Sequence, residues 1–375
     1  MFFSHNSWVY TSAKLEEIDA ILSKEFITPN ALETQKDEML ENAIAGYVKG
    51  LDDPYTMYLT KPKNEILHNT LTDQTGVEWI GVYLKKEENT DFVTISEVIK
   101  NGPAYEAWLQ HWDRIYVVDD VVLSDLTLSE VIELIRGEKW TSVHLNIQRT
   151  TVTWNAEFSV TIPRKSINIP SVTAELQDID GKKVWIFVIS AISEHTTQVF
   201  IEECLRFVQS GMQGIILDLR GNWGWYLEEA SKFLWHFIDK WEVTVKTKYY
   251  AFSDNEFVSK WLGELKSFPI VILIDQLTAS ASEIIALALQ EQGAIIVGMN
   301  SYWKWTIQSV QEFVDGSSLK YTVWEWFSPQ GTSVTGTGIL PDKLVEFDVD
   351  AYMNDGIDSQ MEEAKKTLAT LLENH

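Results

Sequence analysis

Apolar residues at spacings of three and four mark residues 13–50 as helical: Leu15, Ile18, Ile21 and Leu22, then Met39, Leu40, Ala43 and Val48. That stretch closes at Gly50-Leu51-Asp52-Asp53-Pro54-Tyr55, where the Asp-Pro step favours a turn. Residues 76–149 follow a different rule. Val93 and Ile95 alternate with polar neighbours, as do Val143, Leu145 and Ile147, which is the period of a half-buried strand. Thr127-Leu128-Ser129-Glu130 has the spacing of a capping box, predicting a helix with Val131, Ile132, Leu134 and Ile135 inside.

From about 152 onward, longer apolar runs alternate with helical patterns. Strands are predicted at Val184–Ser190, Gly214–Leu219, Pro269–Ile274 and Ala294–Val297, with helices at His195–Ser210, Tyr226–Ile238 and Glu283–Gln290. Near-continuous apolar strands of this kind are covered on both faces. A last helical pattern, with Met361, Ala364, Leu368 and Leu371, occupies 356–373. The expectation is an α/β protein divided into a helical segment (1–75), a β-rich module (76–151), an α/β core (152–345) and a C-terminal helical segment (346–375).

Composition narrows the function classes. The chain has 375 residues, 45% of them hydrophobic, and room for two or three domains. Its 30 basic against 55 acidic residues give a net charge of −25, which argues against nucleic acid as a partner. The single cysteine, Cys204, lies among Phe200, Ile201, Leu205 and Phe207; it excludes a disulfide framework and reads as a buried helix residue. No run approaches the roughly 20 apolar residues of a membrane span. The opening MFFSHNSWVY lacks the basic and apolar regions of a signal peptide.

Tryptophan is the anomaly. There are 16, against only 19 glycines where average usage near 7% would supply about 26. Several occupy turn-like contexts suited to a residue without Cβ: Trp108, Trp112, the pair Trp223 and Trp225 about Gly224, and the pair Trp303 and Trp305 about Lys304. One reading is that many of these codons specify glycine, as when a genome that uses UGA for glycine is translated with UGA as tryptophan. The other is a genuinely Trp-rich protein.

Two segments carry candidate chemistry. Thr278-Ala279-Ser280-Ala281-Ser282-Glu283 lies where an apolar strand gives way to a helix. Serine and threonine are preferred N-caps there, but an exposed serine beside helix-start N–H groups also suits a nucleophile with an oxyanion site. Ser282 competes with Ser280 on local grounds. One strand later, Lys304 lies in Ser301-Tyr302-Trp303-Lys304-Trp305-Thr306-Ile307-Gln308, without another charge nearby. A lysine taken out of water loses its proton more readily and can serve as a general base, and Ser–Lys pairs are a known hydrolase arrangement. None of the seven histidines has a nucleophile-like context; His195 and His236 fall in helical patterns.

Together these motifs resemble a carboxy-terminal processing protease, a tail-specific S41 serine peptidase with a PDZ domain. The resemblance rests on Leu51–Tyr55, Ile80-Gly81-Val82, Asn101-Gly102-Pro103-Ala104, Trp112-Asp113-Arg114-Ile115, Leu219-Arg220-Gly221-Asn222, Thr278–Glu283, Trp303–Gln308, Thr335-Gly336-Thr337-Gly338-Ile339 and Pro341-Asp342. In it, Trp108, Trp112, Trp140, Trp225, Trp303 and Trp305 stand at family glycine positions. Trp79 and Trp241 are added to that set, while Trp8 and Trp261 stay open.

The resemblance implies a ClpP/crotonase-like mixed α/β core with an inserted PDZ domain. It makes Ser280 the nucleophile, Lys304 the general base and Gln308 the residue orienting Lys304. The oxyanion hole falls to the Ala281 N–H and an N–H of the Gly224–Trp225 segment, and Glu283 reads as a structural helix residue. Ile80, Gly81 and Val82 would receive the carboxylate of a protein or peptide with an apolar C-terminus. Acyl transfer of this kind uses no metal or cofactor. The resemblance further implies a homodimer through the N-terminal helices and an extracytoplasmic location, although no membrane tether is visible. If the tryptophans are literal, the alternative is a catalytically inactive PDZ peptide-binding protein. A crotonase-like acyl-CoA enzyme is the third reading, opposed by the Ser–Lys motifs.

Overall fold

A computed structural model describes residues 6–26, 29–71, 77–86, 90–99, 102–124, 126, 128–137, 141–150, 155–167, 171–208, 211–249 and 254–374. Asn101, Thr127, Trp140 and the predicted helix end at Ser210 lie outside the described residues. The chain divides into two compact units, 1–66 with 307–324 and 67–306 with 325–375.

In the first unit the helical pattern at 13–50 becomes two helices, Asn6–Glu25 and Pro29–Lys49, joined across their exposed sides by a 2.7 Å Lys36–Asp19 ion pair. The following Asp-Pro turn is held by its own acid. Asp53 accepts the Tyr55 N–H and the hydroxyls of Thr56 and Thr322, the last two at 2.6 Å. Burial alone would raise the Asp53 pKa, but these donors hold it below the usual carboxylate range. Strand Met57–Leu59 then pairs antiparallel with Ser318–Phe327, from Met57↔Lys320 to Leu59↔Ser318.

The second unit contains a β-rich module and an α/β core. The module is an antiparallel sheet in the order Val82–Lys85, Val93–Val98, Arg114–Val118, Ser142–Thr150 and Asn155–Pro163. Period-two alternation puts Val93, Ile95, Ile115, Val143, Leu145 and Ile147 on one fully buried face, where Val131 and Ile135 of helix Leu128–Ile135 close over them. Beneath, Asp113 is wholly buried and takes a two-pronged ion pair from Arg149 at 2.6 and 2.7 Å.

The core sheet runs Val172–Ile179, Lys182–Ile189, Gly214–Asp218, Ile270–Ile274, Ile295–Gly298 and Lys343–Leu344. Its first two strands form a hairpin, and every later neighbour is parallel. The hairpin turns at Asp180-Gly181, with φ of 51° and 77°, the doubly left-handed geometry that matches strand twist. Alternate residues serve opposite faces. Val184, Ile186, Ile216, Val271 and Leu273 pack with Ala364 and Leu368 of helix Ser359–Glu373. Phe187 faces the other way, onto a chain of rings through Phe200, Phe233 and Phe237 from the helical side. Both faces are therefore covered, as the apolar runs require. Among the described residues no helix is long and apolar enough to cross a membrane.

One aromatic contact joins the β-rich module to the chain beyond the core. The His111 ring stacks on Phe347, with centroids 6.0 Å apart, and lies 6.1 Å from Tyr352 of helix Val349–Asp355. Burial pushes the His111 pKa down to about 4. A histidine freed from this contact titrates near 6.5, so between pH 6.5 and 4 the open form binds a proton that the packed form excludes. The contact is fully stable above that window and weakens as pH falls through it. His111→Phe keeps the ring and removes the proton. Thermal melts at pH 7 and 5 should show the wild type losing more stability than the variant.

Candidate active site

Three loops leave the carboxyl ends of neighbouring parallel strands and meet. The first follows Ile270–Ile274, whose five residues are all buried. Asp275 stops that strand, and its Oδ1 accepts the N–H groups of Gly221, Leu277 and Thr278, each at 3.0 Å. Burial raises the Asp275 pKa against the pull of those donors. Thr278 Oγ1 donates to the Leu219 carbonyl at 2.9 Å, and the Ala279 N–H to the Asn222 carbonyl at 3.0 Å. The first loop is thus laced to the second, residues 219–226.

Ser280 follows with φ 57° and ψ −119°, then helix Ala281–Glu291 begins. An ordinary N-cap serine has extended backbone angles. A left-handed serine at a strand–helix junction is strained, and such strain persists where surrounding structure imposes it. Ser280 is half-buried, whereas Ser282, its rival, is wholly buried inside the helix.

The second loop presses against this elbow. Gly224, with φ 79°, has no room for a side chain: a Cβ there would lie 2.5 Å from the Ala281 nitrogen and 2.6 Å from the Ala279 oxygen. Buried Asn222 sets the loop's shape, donating to the Ile189 carbonyl at 2.7 Å and accepting the Gly224 N–H at 2.9 Å. That bond commits the Gly224 N–H, so within the Gly224–Trp225 pair the Trp225 N–H is the donor that remains. Arg220 ties the loop's start to the last helix. Its guanidinium meets Asp218 at 2.6 Å and Asp358, the helix N-cap, at 2.8 Å. Asp358 is partly buried, which raises its pKa, but Arg220 outweighs that and holds it below the usual carboxylate range.

The third loop, after Ile295–Gly298, brings Lys304. Glu283, on the first turn of the Ser280 helix, joins the two. Its Oε2 accepts the N–H groups of Ser280 at 2.7 Å and Lys304 at 2.9 Å. Its Oε1 accepts the Trp303 N–H at 2.7 Å and the Ser301 hydroxyl. Burial pushes the Glu283 pKa up. Three of its four partners are backbone N–H groups, which can only donate, and they favour the carboxylate. The far side of Lys304 is also held, since its carbonyl accepts the Trp326 indole N–H at 2.8 Å. Sequence reasoning treated Glu283 as a plain helix residue; a glutamate three positions after an N-cap was the available signal.

Gln308 belongs to the first unit, where its amide nitrogen lies 3.4 Å from Thr322 Oγ1. Beside these loops, Trp223, Tyr302 and Trp303 form a row, with centroids 5.2 and 6.2 Å apart. In the β-rich module, Ile80-Gly81-Val82 precedes the edge strand Val82–Lys85. The Ile80 and Gly81 carbonyls accept the Ala104 and Ile99 N–H groups at 2.7 and 2.9 Å, which fixes the turn; Ile80 and Val82 are buried. Lys86 closes the strand's far end by donating to the Leu123 and Leu126 carbonyls, ahead of helix Leu128–Ile135.

The chain is similar to known proteins. Residues 183–345 match the model of peptidase family S41, and 70–148 that of the PDZ domain. The carboxy-terminal processing protease CtpB of Bacillus subtilis is 30% identical over 329 residues, covering 88% of this chain and 66% of that protein. A probable CtpA-like serine protease of Staphylococcus aureus is 31% identical over 337 residues, covering 89% and 64%. The chain thus spans just under two thirds of these relatives. Among solved structures, a photosystem II D1 C-terminal processing protease superposes with a TM-score of 0.66 at 22% identity, covering 97% of this chain and 91% of the other. A putative S41 protease from Bacteroides fragilis gives 0.61 at 17%, covering 87% and 90%. The fold is the mixed α/β, ClpP/crotonase-like protease core with an inserted PDZ domain and an N-terminal helical segment. With both family signatures in place and carboxy-terminal processing proteases as its relatives, the chain belongs to peptidase family S41 and carries a PDZ domain.

Proposed function

We propose that this chain is a serine endopeptidase working through a Ser280–Lys304 dyad on proteins held by their C-terminal residues. The observation that carries the reading is the left-handed Ser280 elbow, bound through one carboxylate to the backbone of Lys304 and packed against Gly224. Neutral Lys304 takes the Ser280 Oγ proton as that oxygen attacks the scissile carbonyl. The N–H groups of Ala281 and Trp225 hold the resulting oxyanion, and lysine returns the proton to the leaving amine. Water then releases the acyl group. Gln308, four residues beyond Lys304, keeps the orienting role that its motif implies.

The PDZ domain, taken as 76–151, adds a substrate strand to the edge at Val82–Lys85, with the terminal carboxylate at the Ile80–Val82 turn. The buried apolar residues around that turn favour an apolar C-terminal side chain. The protease core is taken as 152–345, flanked by helical segments at 1–75 and 346–375. A location outside the cytoplasm and a homodimer through the N-terminal helices, both implied by the resemblance of its motifs to the family, complete the proposal. A second reading, a PDZ-bearing peptide binder without catalysis, is favoured by the half-exposed indoles of Trp225 and Trp303 beside the dyad.

A fluorogenic peptide with an apolar C-terminus, tested on the literal chain and on one with glycine at 225 and 303, separates the readings. Catalysis predicts cleavage that falls about a thousandfold or more in Ser280→Ala and in Lys304→Ala. Binding without cleavage in both chains supports the second reading. Glu283→Gln places an NH₂ among donors that need an acceptor, shifting the elbow and the base loop. A displacement of about 1 Å in such a site costs roughly a hundredfold in rate. The expected result is that loss in kcat, with peptide affinity of the PDZ domain unchanged by calorimetry.

A further inference from the structure

The backbone sorts the tryptophans into two populations. Nine non-glycine residues among those described have left-handed φ: Asp52, Asp119, Asp180, Ser280 and five tryptophans. Aspartate tolerates this region through its short polar side chain, and Ser280 is the strained elbow of the candidate site. The five are Trp108 at 60°, Trp112 at 70°, Trp225 at 142°, Trp241 at 74° and Trp303 at 72°. For a bulky side chain such angles are outliers. The effect does not extend to other aromatic residues. The chain has 16 phenylalanines and 13 tyrosines, and among the described residues none has a positive φ.

Burial sorts four of the five the same way. Trp108, Trp241, Trp225 and Trp303 are 81%, 70%, 48% and 45% exposed, so their indoles fill no core. Trp112 is partly buried, and there the backbone angle alone makes the distinction. Trp185 and Trp326 differ in both backbone and burial. They are 2% and 0% exposed and lie outside the left-handed region. The Trp185 ring lies 6.3 Å from Phe187, and the Trp326 indole donates to the Lys304 carbonyl at 2.8 Å.

We propose that the protein made in its own cell carries glycine at positions 108, 112, 225, 241 and 303, inserted at UGA codons, and tryptophan at 185 and 326. Trp79 and Trp305, placed with the glycine set on sequence grounds, have no left-handed backbone and are not assigned to it. Two of the five positions belong to the candidate site. Glycine there keeps both backbone N–H groups, the one at 303 that binds Glu283 and the one at 225 assigned to the oxyanion. It removes the two half-exposed indoles from the candidate site.

Peptide mass spectrometry of the protein purified from its own source, with the gene sequence, tests this without reference to activity. Glycine at the five positions with UGA codons, and tryptophan from UGG at 185 and 326, is the expected result. Tryptophan from UGG at the five overturns it. Melting curves of two recombinant chains give a second reading. Relief of five left-handed tryptophans should raise the melting temperature of the five-glycine chain by roughly 10 °C. A literal chain that melts at or above the five-glycine chain counts against the proposal.

Discussion

A single buried carboxylate organises the candidate site. Glu283 gathers four donors from two loops that are far apart in sequence, and the sheet decides that they meet. A carboxylate out of water is costly unless its lone pairs are all used. Any movement of the Ser280 elbow away from the Lys304 loop would strand part of that charge, so the two are coupled by desolvation and not by contact alone. Asp275 and Asn222 repeat the device on the other side, fastening the elbow to the Gly224 loop. Both arrangements stand at the carboxyl ends of parallel strands, where loops of an open α/β sheet converge and ligands bind.

This lacing explains why strain and close approach concentrate where they do. Ser280 keeps its left-handed backbone because its N–H is taken by Glu283, while the preceding Ala279 N–H is held by Asn222. Gly224 can touch the elbow only without a Cβ. The Arg220 ion pairs with Asp218 and Asp358 extend the same logic outward, linking the loop to the C-terminal helix that covers the sheet's opposite face. The second unit's PDZ domain meets the chain beyond the core through the His111, Phe347 and Tyr352 rings, a separate contact.

Much of this was legible beforehand. Strands at 182–189, 214–218, 270–274 and 295–298 lie within a residue or two of their apolar runs, because a strand covered on both faces leaves a continuous signature. The hairpin strand Val172–Ile179 leaves no apolar run, although Asp180-Gly181 is a strong turn signal, because its exposed and half-exposed residues dilute the pattern. The helical stretch at 13–50 hid a break between two helices, since periodicity alone marks faces and not ends. In the loop proposed for the oxyanion, sequence offered Gly224 and Trp225 equally, and the Asn222 side chain, by accepting the Gly224 N–H, separates them.

What the sequence determined by itself was therefore local or motif-borne: the elements, the family motifs, the candidate serine and lysine segments and the oddity of the tryptophans. Periodicity and short motifs are readable because neighbouring residues along the chain share one backbone conformation. The tertiary structure decided what depends on distant partners. It turned Glu283 from a helix residue into the join between two loops. It also showed which tryptophans stand on left-handed backbone and which fill the core. A φ angle or a buried charge is set by groups that the fold brings together, and those are not neighbours in the sequence.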